Sequence, residues 1–470
     1  MNREVNWNEL EQWDKKYILR TWVKADEYQW LPIAKTEGNY LFLPDGTKLL
    51  DFFNQLYCVN AGQRNPKIQQ AIREALDEYG FLWDAFTSKY KPKAAKLLVE
   101  DILGSEGWAG KVRFTNSGSE ANETAMIIAR LYTGKPFIVT REHAYHGYTN
   151  AAAGVTRMRC ARSQVVKEEG DLRAVPGHGE GYYLVAPAPN CYRCSLGLSY
   201  PDCKREGKQL PCVAFTENLI LNVGLDKVGT IITEPIHGAA TIHPPAEYLP
   251  QIAEMRTRLG LVWIADEVLV GFGRTGTWFA YQKWGVKPDI LALGKGIVSS
   301  ALPAGAVIVS KEIAEFMDRH RWLHVSTFSG HPLCMAAICA NLEYMLENNL
   351  PEKARLAGEY FGQKLNELEA KHKTVGLVAG SGMLWQVELV KNKKTKEYFI
   401  PEDRNTDYSG DHGKWPTQIV KLKAIEKGVL MGGFVPNTMR IGASLEVTKE
   451  EMDQAIAALD YALDYLDSLA

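Results

Sequence analysis

No apolar run in the 470-residue chain is long enough to cross a membrane. The first residues, "MNREVNWNELEQWDKKY", lack the apolar core of an export signal. Charge of one sign is also missing. Lys and Arg number 54 against 56 Asp and Glu, a formal net charge of −2, with no long basic stretch. Nothing in that balance favours nucleic acid or an anionic membrane as a partner. Repeats and low-complexity tracts are absent. Cysteine is sparse, at eight residues. Without an export signal these are expected to be reduced thiols, so the chain is expected to be cytoplasmic. The P-loop pattern GxxxxGK[ST] does not occur. Its closest approach is "DILALGKGI", where Asp289 replaces the first glycine and Gly296 follows the lysine.

Four of the cysteines nevertheless gather in "CYRCSLGLSYPDCKREGKQLPC": Cys191, Cys194, Cys203 and Cys212. Thiolates at such spacing serve zinc. The second pair is not CxxC and no histidine lies inside the cluster, so a plain surface insertion over residues 187–213 is the competing reading. The expectation is no metal.

What is present is alternation. From about residue 110, apolar strands ("KVRFT", "PFIVT", "VGTIIT", "LVWIA", "DILAL") alternate with amphipathic helices such as "SEANETAMIIARLYTG" and "AEYLPQIAEMRTRLG". That pattern predicts an α/β fold: a mostly parallel sheet covered by helices on both faces. Residues 66–330 are expected to form this large domain. Residues 331–470 read as a smaller α+β domain to which residues 1–65, with short strands around "NYLFLPDGTKLLDF", add the N-terminal part. A chain of this length is expected to bury more than one core.

Ligands in such sheets bind beyond the C-terminal strand ends. The residues there are Asn116-Ser117-Gly118-Ser119-Glu120, then Tyr145-His146-Gly147, then Glu234, Asp266-Glu267 and Lys295. Small residues at a helix start suit a phosphate, although they equally suit an ordinary capped helix. Tyr145 in an open loop suits stacking on a flat ring or packing at a domain seam. Lys295 between two glycines is either a strand-end lysine reaching water or an amine that condenses with a carbonyl group. "GFGRTG" (Gly271, Gly273, Gly276) matches the dinucleotide pattern GxGxxG. The acids precede it instead of following at the next strand end, which leaves a nicotinamide oxidoreductase as a weak alternative. A flat, phosphorylated, carbonyl-bearing cofactor accounts for all of these positions together, and pyridoxal phosphate has that chemistry.

The motifs "NSGSEANETAM", "AYHG", "TEP", "ADEVLVGFGRTG", "DILALGKG", "STFSGHPL" and "MRIGASLEVT" occur in one order along nearly the whole chain. In this the sequence resembles the class-III (omega) aminotransferases of the fold-type-I pyridoxal phosphate enzymes, most of all those acting on taurine with 2-oxoglutarate or pyruvate. The resemblance implies a homodimer with shared active sites. It implies Ser117, Gly118 and Ser119 at the phosphate, Tyr145 and Val268 on the two ring faces with His146 beside them, Asp266 at the ring nitrogen and Lys295 as the catalytic amine. Thr327 would reach the phosphate of the second subunit. Arg440 would bind the substrate carboxylate, Glu234 would pair with it when no carboxylate is bound, and Trp22 and Tyr57 would line the substrate side. The chain departs from the family at Leu269 and at Ala443-Ser444. The implied reaction moves the amino group of a terminal amine or ω-amino acid, such as taurine or β-alanine, to a 2-oxo acid by a ping-pong mechanism. A lyase or an aminomutase on the same fold is the alternative.

Overall fold

The computed structural model describes residues 5–21, 28–157, 181–205, 207–401, 412–433 and 435–470. The largest sheet has seven strands. In spatial order its strands are Ala109–Thr115, Gly305–Ser310, Ile290–Leu293, Val262–Asp266, Val228–Thr233, Phe137–Arg141 and Tyr183–Ala186. From Ile290–Leu293 to Tyr183–Ala186 every neighbouring pair is parallel. Gly305–Ser310 alone runs antiparallel to both its neighbours.

The middle strands are buried at every position. Successive side chains point to opposite faces, and both faces are covered. Ile290 and Ala292 join the apolar cluster under the Gly118–Thr133 helix, whereas Leu291 and Leu293 join the larger cluster on the opposite face. That is why these strands read as continuous apolar runs. Each fully buried Leu or Ile contributes about 1.5–3 kcal/mol of transfer free energy.

The Gly118–Thr133 helix starts at Ser117, whose Oγ accepts from the Glu120 N–H at 3.2 Å, and stops at Gly134, which has φ 69°. A left-handed residue there ends a helix without the penalty a Cβ would bring. Two long helices, Pro332–Glu347 and Leu350–Lys371, follow the large sheet. The remaining strands form two small sheets. One joins Lys35–Glu37, Tyr40–Phe42 and Lys48–Asp51 to Val429–Leu430, so N- and C-terminal segments share it. The other joins Val375–Ser381, Leu384–Leu389 and Thr438–Ile441. Trp22 and the first half of "DYSGDHGKWPT" lie outside the described residues. No helix among the described residues is long and apolar enough to cross a membrane.

Candidate active site

Because Val228–Thr233, Val262–Asp266 and Ile290–Leu293 are parallel neighbours, Glu234, Asp266 and Lys295 emerge at one edge of the sheet. A cavity of about 490 Å³ opens there. Ser117, Gly118, Ser119, Tyr145, His146, Glu234, Asp266, Val268 and Lys295 line it from the large domain, and Tyr57 and Arg440 line it from the other side. Thr327 is exposed and lies outside this lining.

Asp266 is buried and held by three neighbours. Its Oδ2 accepts from Asn122 Nδ2 and meets His146 Nδ1, each at 2.7 Å, and its Oδ1 accepts from the Val268 N–H at 2.9 Å. Asn122 also reaches the His146 carbonyl at 2.8 Å. Sequence reasoning missed Asn122. The signal was there: Asn122 is a buried amide among Ala121, Ala125 and Met126 on the apolar face of its helix, and a buried polar group needs partners.

Lys295 follows the end of its strand with φ 42°. That left-handed conformation is uncommon for a non-glycine residue and occurs at functional sites. Val268 sits between two glycines. A Cβ on Gly118 would come within 2.5 Å of Val268 Cγ1, and one on Gly294 within 3.1 Å. Gly147, at φ 123°, passes Ser119 so closely that a Cβ would lie 2.3 Å from its Oγ.

Glu234 has two backbone partners. Its Oε1 accepts from the Tyr145 N–H at 2.9 Å and its Oε2 from the Gly238 N–H at 2.6 Å. Burial pushes its carboxyl above the usual carboxylate range, and the nearby Asp266 charge adds to this. The Arg440 guanidinium instead donates to the Gly238 carbonyl and lies over the Tyr57 ring, 4.4 Å from its centroid. Two backbone N–H groups thus hold the Glu234 carboxylate at the Tyr145 and Gly238 turns, and Arg440 meets the carbonyl of the same Gly238. The Tyr57 hydroxyl donates to the Arg440 carbonyl, which fixes both ends of that residue.

The GxGxxG decoy is also resolved. Arg274 inside "GFGRTG" is fully buried. It donates to the carbonyls of Met383 (3.1 Å) and Ala443 and to the side-chain oxygens of Asn54 (2.8 Å) and Asn60 (2.6 Å). The glycines admit an arginine that ties the large domain to the segments around Tyr57 and Arg440, not a dinucleotide.

The model of the aminotransferase class-III family matches residues 23–463. The chain is a class-III aminotransferase. It is 33% identical to the putrescine–pyruvate aminotransferase of Pseudomonas aeruginosa over 92% of this chain and 90% of that one. Among solved structures, an S-selective transaminase from Arthrobacter sp. superposes with a TM-score of 0.93 at 53% identity, over 99% of both chains. A taurine:2-oxoglutarate aminotransferase from Bifidobacterium kashiwanohense, solved with pyridoxal phosphate and glutamate, superposes at 0.87 with 29% identity, again over 99% of both chains.

The aminotransferase is therefore a fold-type-I enzyme that depends on pyridoxal phosphate. Its own residues fit that group. A carboxylate fixed by three donors faces an amine across a cavity whose glycine walls leave no room for a Cβ. The capped N-terminus of the Gly118–Thr133 helix lies at one end of it, where N–H groups attract phosphate.

Proposed function

We propose that this aminotransferase moves the amino group of a primary amine, including terminal amines and ω-amino acids such as taurine or β-alanine, to a 2-oxo acid. We place the reaction in a cytoplasmic homodimer whose sites are shared through Thr327. One observation carries the substrate reading. Arg440 lines a cavity whose other lining on the substrate side is mostly apolar, with Leu56, Tyr57, Ala239, Leu269, Gly432 and Val435 and one hydroxyl residue, Thr438. A single guanidinium in an apolar wall recognises one carboxylate and leaves space for an uncharged group. The same arginine serves the 2-oxo acid and, for taurine or β-alanine, the donor's own acid group. The relatives support both readings, since they include enzymes named for putrescine with pyruvate and for taurine with 2-oxoglutarate.

Bound pyridoxal phosphate supplies an electron-accepting ring. The carboxylate of Asp266, oriented by Asn122, His146 and the Val268 N–H, holds a proton at the ring nitrogen. Nζ of Lys295 takes a proton from the amine-bearing carbon of the donor and returns it as an acid, and the same transfers run backwards for the 2-oxo acid. Tyr145 and Val268, which line the cavity, would hold the ring. Tyr57 and Gly238 hold the Arg440 fork so that a carboxylate meets it in a fixed geometry.

The test is a panel of donors in single-turnover amination and deamination: taurine, β-alanine, putrescine and a plain alkylamine, each against pyruvate and 2-oxoglutarate. The reading expects every half-reaction to stop after one turnover without an acceptor. Continued turnover on donor alone, as a lyase or aminomutase would show, refutes it.

A further inference from the structure

The Cys-rich insertion takes no part in the chemistry above, yet it is built with care. Cys191, Cys194, Cys203 and Cys212, all free thiols, line one small cavity of about 30 Å³ together with Leu196 and Pro245. That volume suits one ion or one water and nothing larger. The four lie at three places along the insertion. Cys191 and Cys194 frame a turn, Cys203 follows in the loop, and Cys212 opens the large-domain helix Pro211–Val223. The loop is anchored there: the Leu210 N–H donates to Gln251 Oε1 at 2.7 Å and the Tyr200 hydroxyl to Glu247 Oε2 at 3.1 Å.

The two residues between the first pair of cysteines face the other way. Tyr192 packs so closely on the small-domain strand Val375–Ser381 that a Cβ on Gly376 would lie 2.4 Å from its hydroxyl. Arg193 Nε donates to Glu388 Oε1 at 3.2 Å, and its guanidinium lies 3.4 Å from the centre of the Tyr398 ring. Glu388 is buried and also accepts from Thr438 Oγ1 at 2.9 Å. Thr438 is its cross-strand partner, and Gln386 is the partner of Arg440 on the same pair of strands. The turn held by Cys191 and Cys194 thus reaches the strand that carries the carboxylate-binding arginine.

We propose that Cys191, Cys194, Cys203 and Cys212 form a four-thiolate structural zinc site that stakes this turn to the large domain and so fixes the strand of Arg440. Four soft ligands and no histidine suit zinc in a closed tetrahedral site. The insertion's four basic residues outnumber its two acidic ones, Asp202 and Glu206, with Arg193 and Lys204 already paired to Glu388 and Glu247. Binding has to draw the thiols inward. Among the described residues, the one group of three or more candidate ligands within 4.8 Å of one another is the His372, Asp464 and Asp467 set, whereas sulfurs at about 2.3 Å from zinc sit about 3.8 Å apart. Closure shortens the loop between helix Pro211–Val223 and the turn and releases the thiol protons.

The experiment measures metal in the holoenzyme purified from zinc-supplemented medium without chelator. The expected result is about one zinc per chain, released in step with titration of four thiols by a mercurial, while the visible cofactor band persists. Cobalt refilled into the released protein gives the thiolate charge-transfer and ligand-field bands of a tetrahedral site. The Cys191→Ser/Cys212→Ser variant loses the metal, keeps the cofactor band, and raises KM for the 2-oxo acid several-fold with little change in single-turnover deamination of a plain alkylamine. A zinc-free preparation, two disulfides in place of the thiols, or zinc fully retained by the double variant each overturns the proposal. The titration and the cobalt spectrum use the unmodified chain, so they decide the matter even if the double variant does not fold. The kinetic arm rests on the carboxylate reading of Arg440 and the metal content does not. Zinc with an unchanged KM therefore refutes the link to Arg440 alone.

Discussion

His146 Nδ1 lies 2.7 Å from Asp266 Oδ2, and both side chains are buried. A carboxylate only accepts, so Nδ1 carries the proton and the imidazole orients the carboxylate that the proposed function sets at the cofactor ring. His146→Ala leaves Asp266 with Asn122 and the Val268 N–H. A hydrogen bond to a charged group contributes about 1.5–3 kcal/mol, so kcat is expected to fall about 10- to 100-fold with KM for either substrate nearly unchanged. A shifted pH profile of kcat marks the role as orientation of Asp266. Unchanged kcat with a lowered melting temperature would assign His146 to packing alone.

The proposed function gives the proton transfers to Lys295. Lys295→Ala keeps the same backbone conformation and removes only the amine, so the melting temperature should change little. Turnover should fall by at least about 10²–10⁴-fold, the range for loss of a general acid–base group. Borohydride reduction of the unmodified enzyme should fix the cofactor to the peptide containing Lys295, read by mass spectrometry. Label on any other lysine refutes the assignment.

Glu267 gives a pH test away from the reaction. It is fully buried, accepts from the Ala280 and Tyr281 N–H groups at 2.9 Å each, and burial pushes its carboxyl up to about 8. Between the ordinary value of 4.5 and about 8 the folded state binds the proton and the unfolded state does not. Stability from this group is therefore complete below about 4.5 and is lost as the pH rises through about 8. Glu267→Gln cannot titrate. The melting temperature of the unmodified enzyme should fall relative to that of the variant as pH is raised from 5 to 8. Parallel curves would show that Glu267 is ionised throughout.

How much of this was legible in the sequence depends on whether the signal was local. Asp266, Glu234 and Lys295 stand directly after apolar strands, so strand-end logic found them. The reversed strand Gly305–Ser310 was not foreseen, because direction is set by its pairing with Ala109–Thr115, a contact far away in sequence. The backbone partners of Glu234 were not foreseen for a similar reason. Its oxygens are satisfied by backbone N–H groups of turns, which no residue identity encodes. The buried Arg274 clamp hid inside a glycine motif, where pattern matching points to nucleotides.

The assembly proposal has its own motive. Leu323, Val325 and Phe328 are 88%, 77% and 59% exposed around Thr327. Contiguous apolar exposure marks an interaction surface. A Leu323→Asp/Val325→Asp variant should run as a monomer in light scattering and lose cofactor on dialysis, since Thr327 would no longer reach a second site. A monomer that retains cofactor and full activity would end the shared-site reading.

Variants of Arg440 and Tyr57 test whether acceptor and donor bind differently, as the proposed function requires. The Tyr57 hydroxyl donates to the Arg440 carbonyl and the ring lies under the guanidinium, so two different truncations probe one fork. Arg440→Ala removes the charged pair with the 2-oxo acid carboxylate, at a cost of about 2–5 kcal/mol, or tens- to thousands-fold in kcat/KM for that half-reaction. Arg440→Lys should recover little, because an ammonium cannot make two parallel bonds to a carboxylate. Tyr57→Phe keeps the ring and loses one hydrogen bond of about 1 kcal/mol, so it should raise KM about fivefold. A plain alkylamine never uses the fork, and its deamination should be spared in all three variants. Taurine and β-alanine carry an acid group and should suffer with the 2-oxo acid. If Arg440→Ala leaves 2-oxo acid turnover intact, the carboxylate binds elsewhere in the cavity. If it slows the alkylamine as strongly as the acid, the arginine holds the cavity's shape and does not recognise charge.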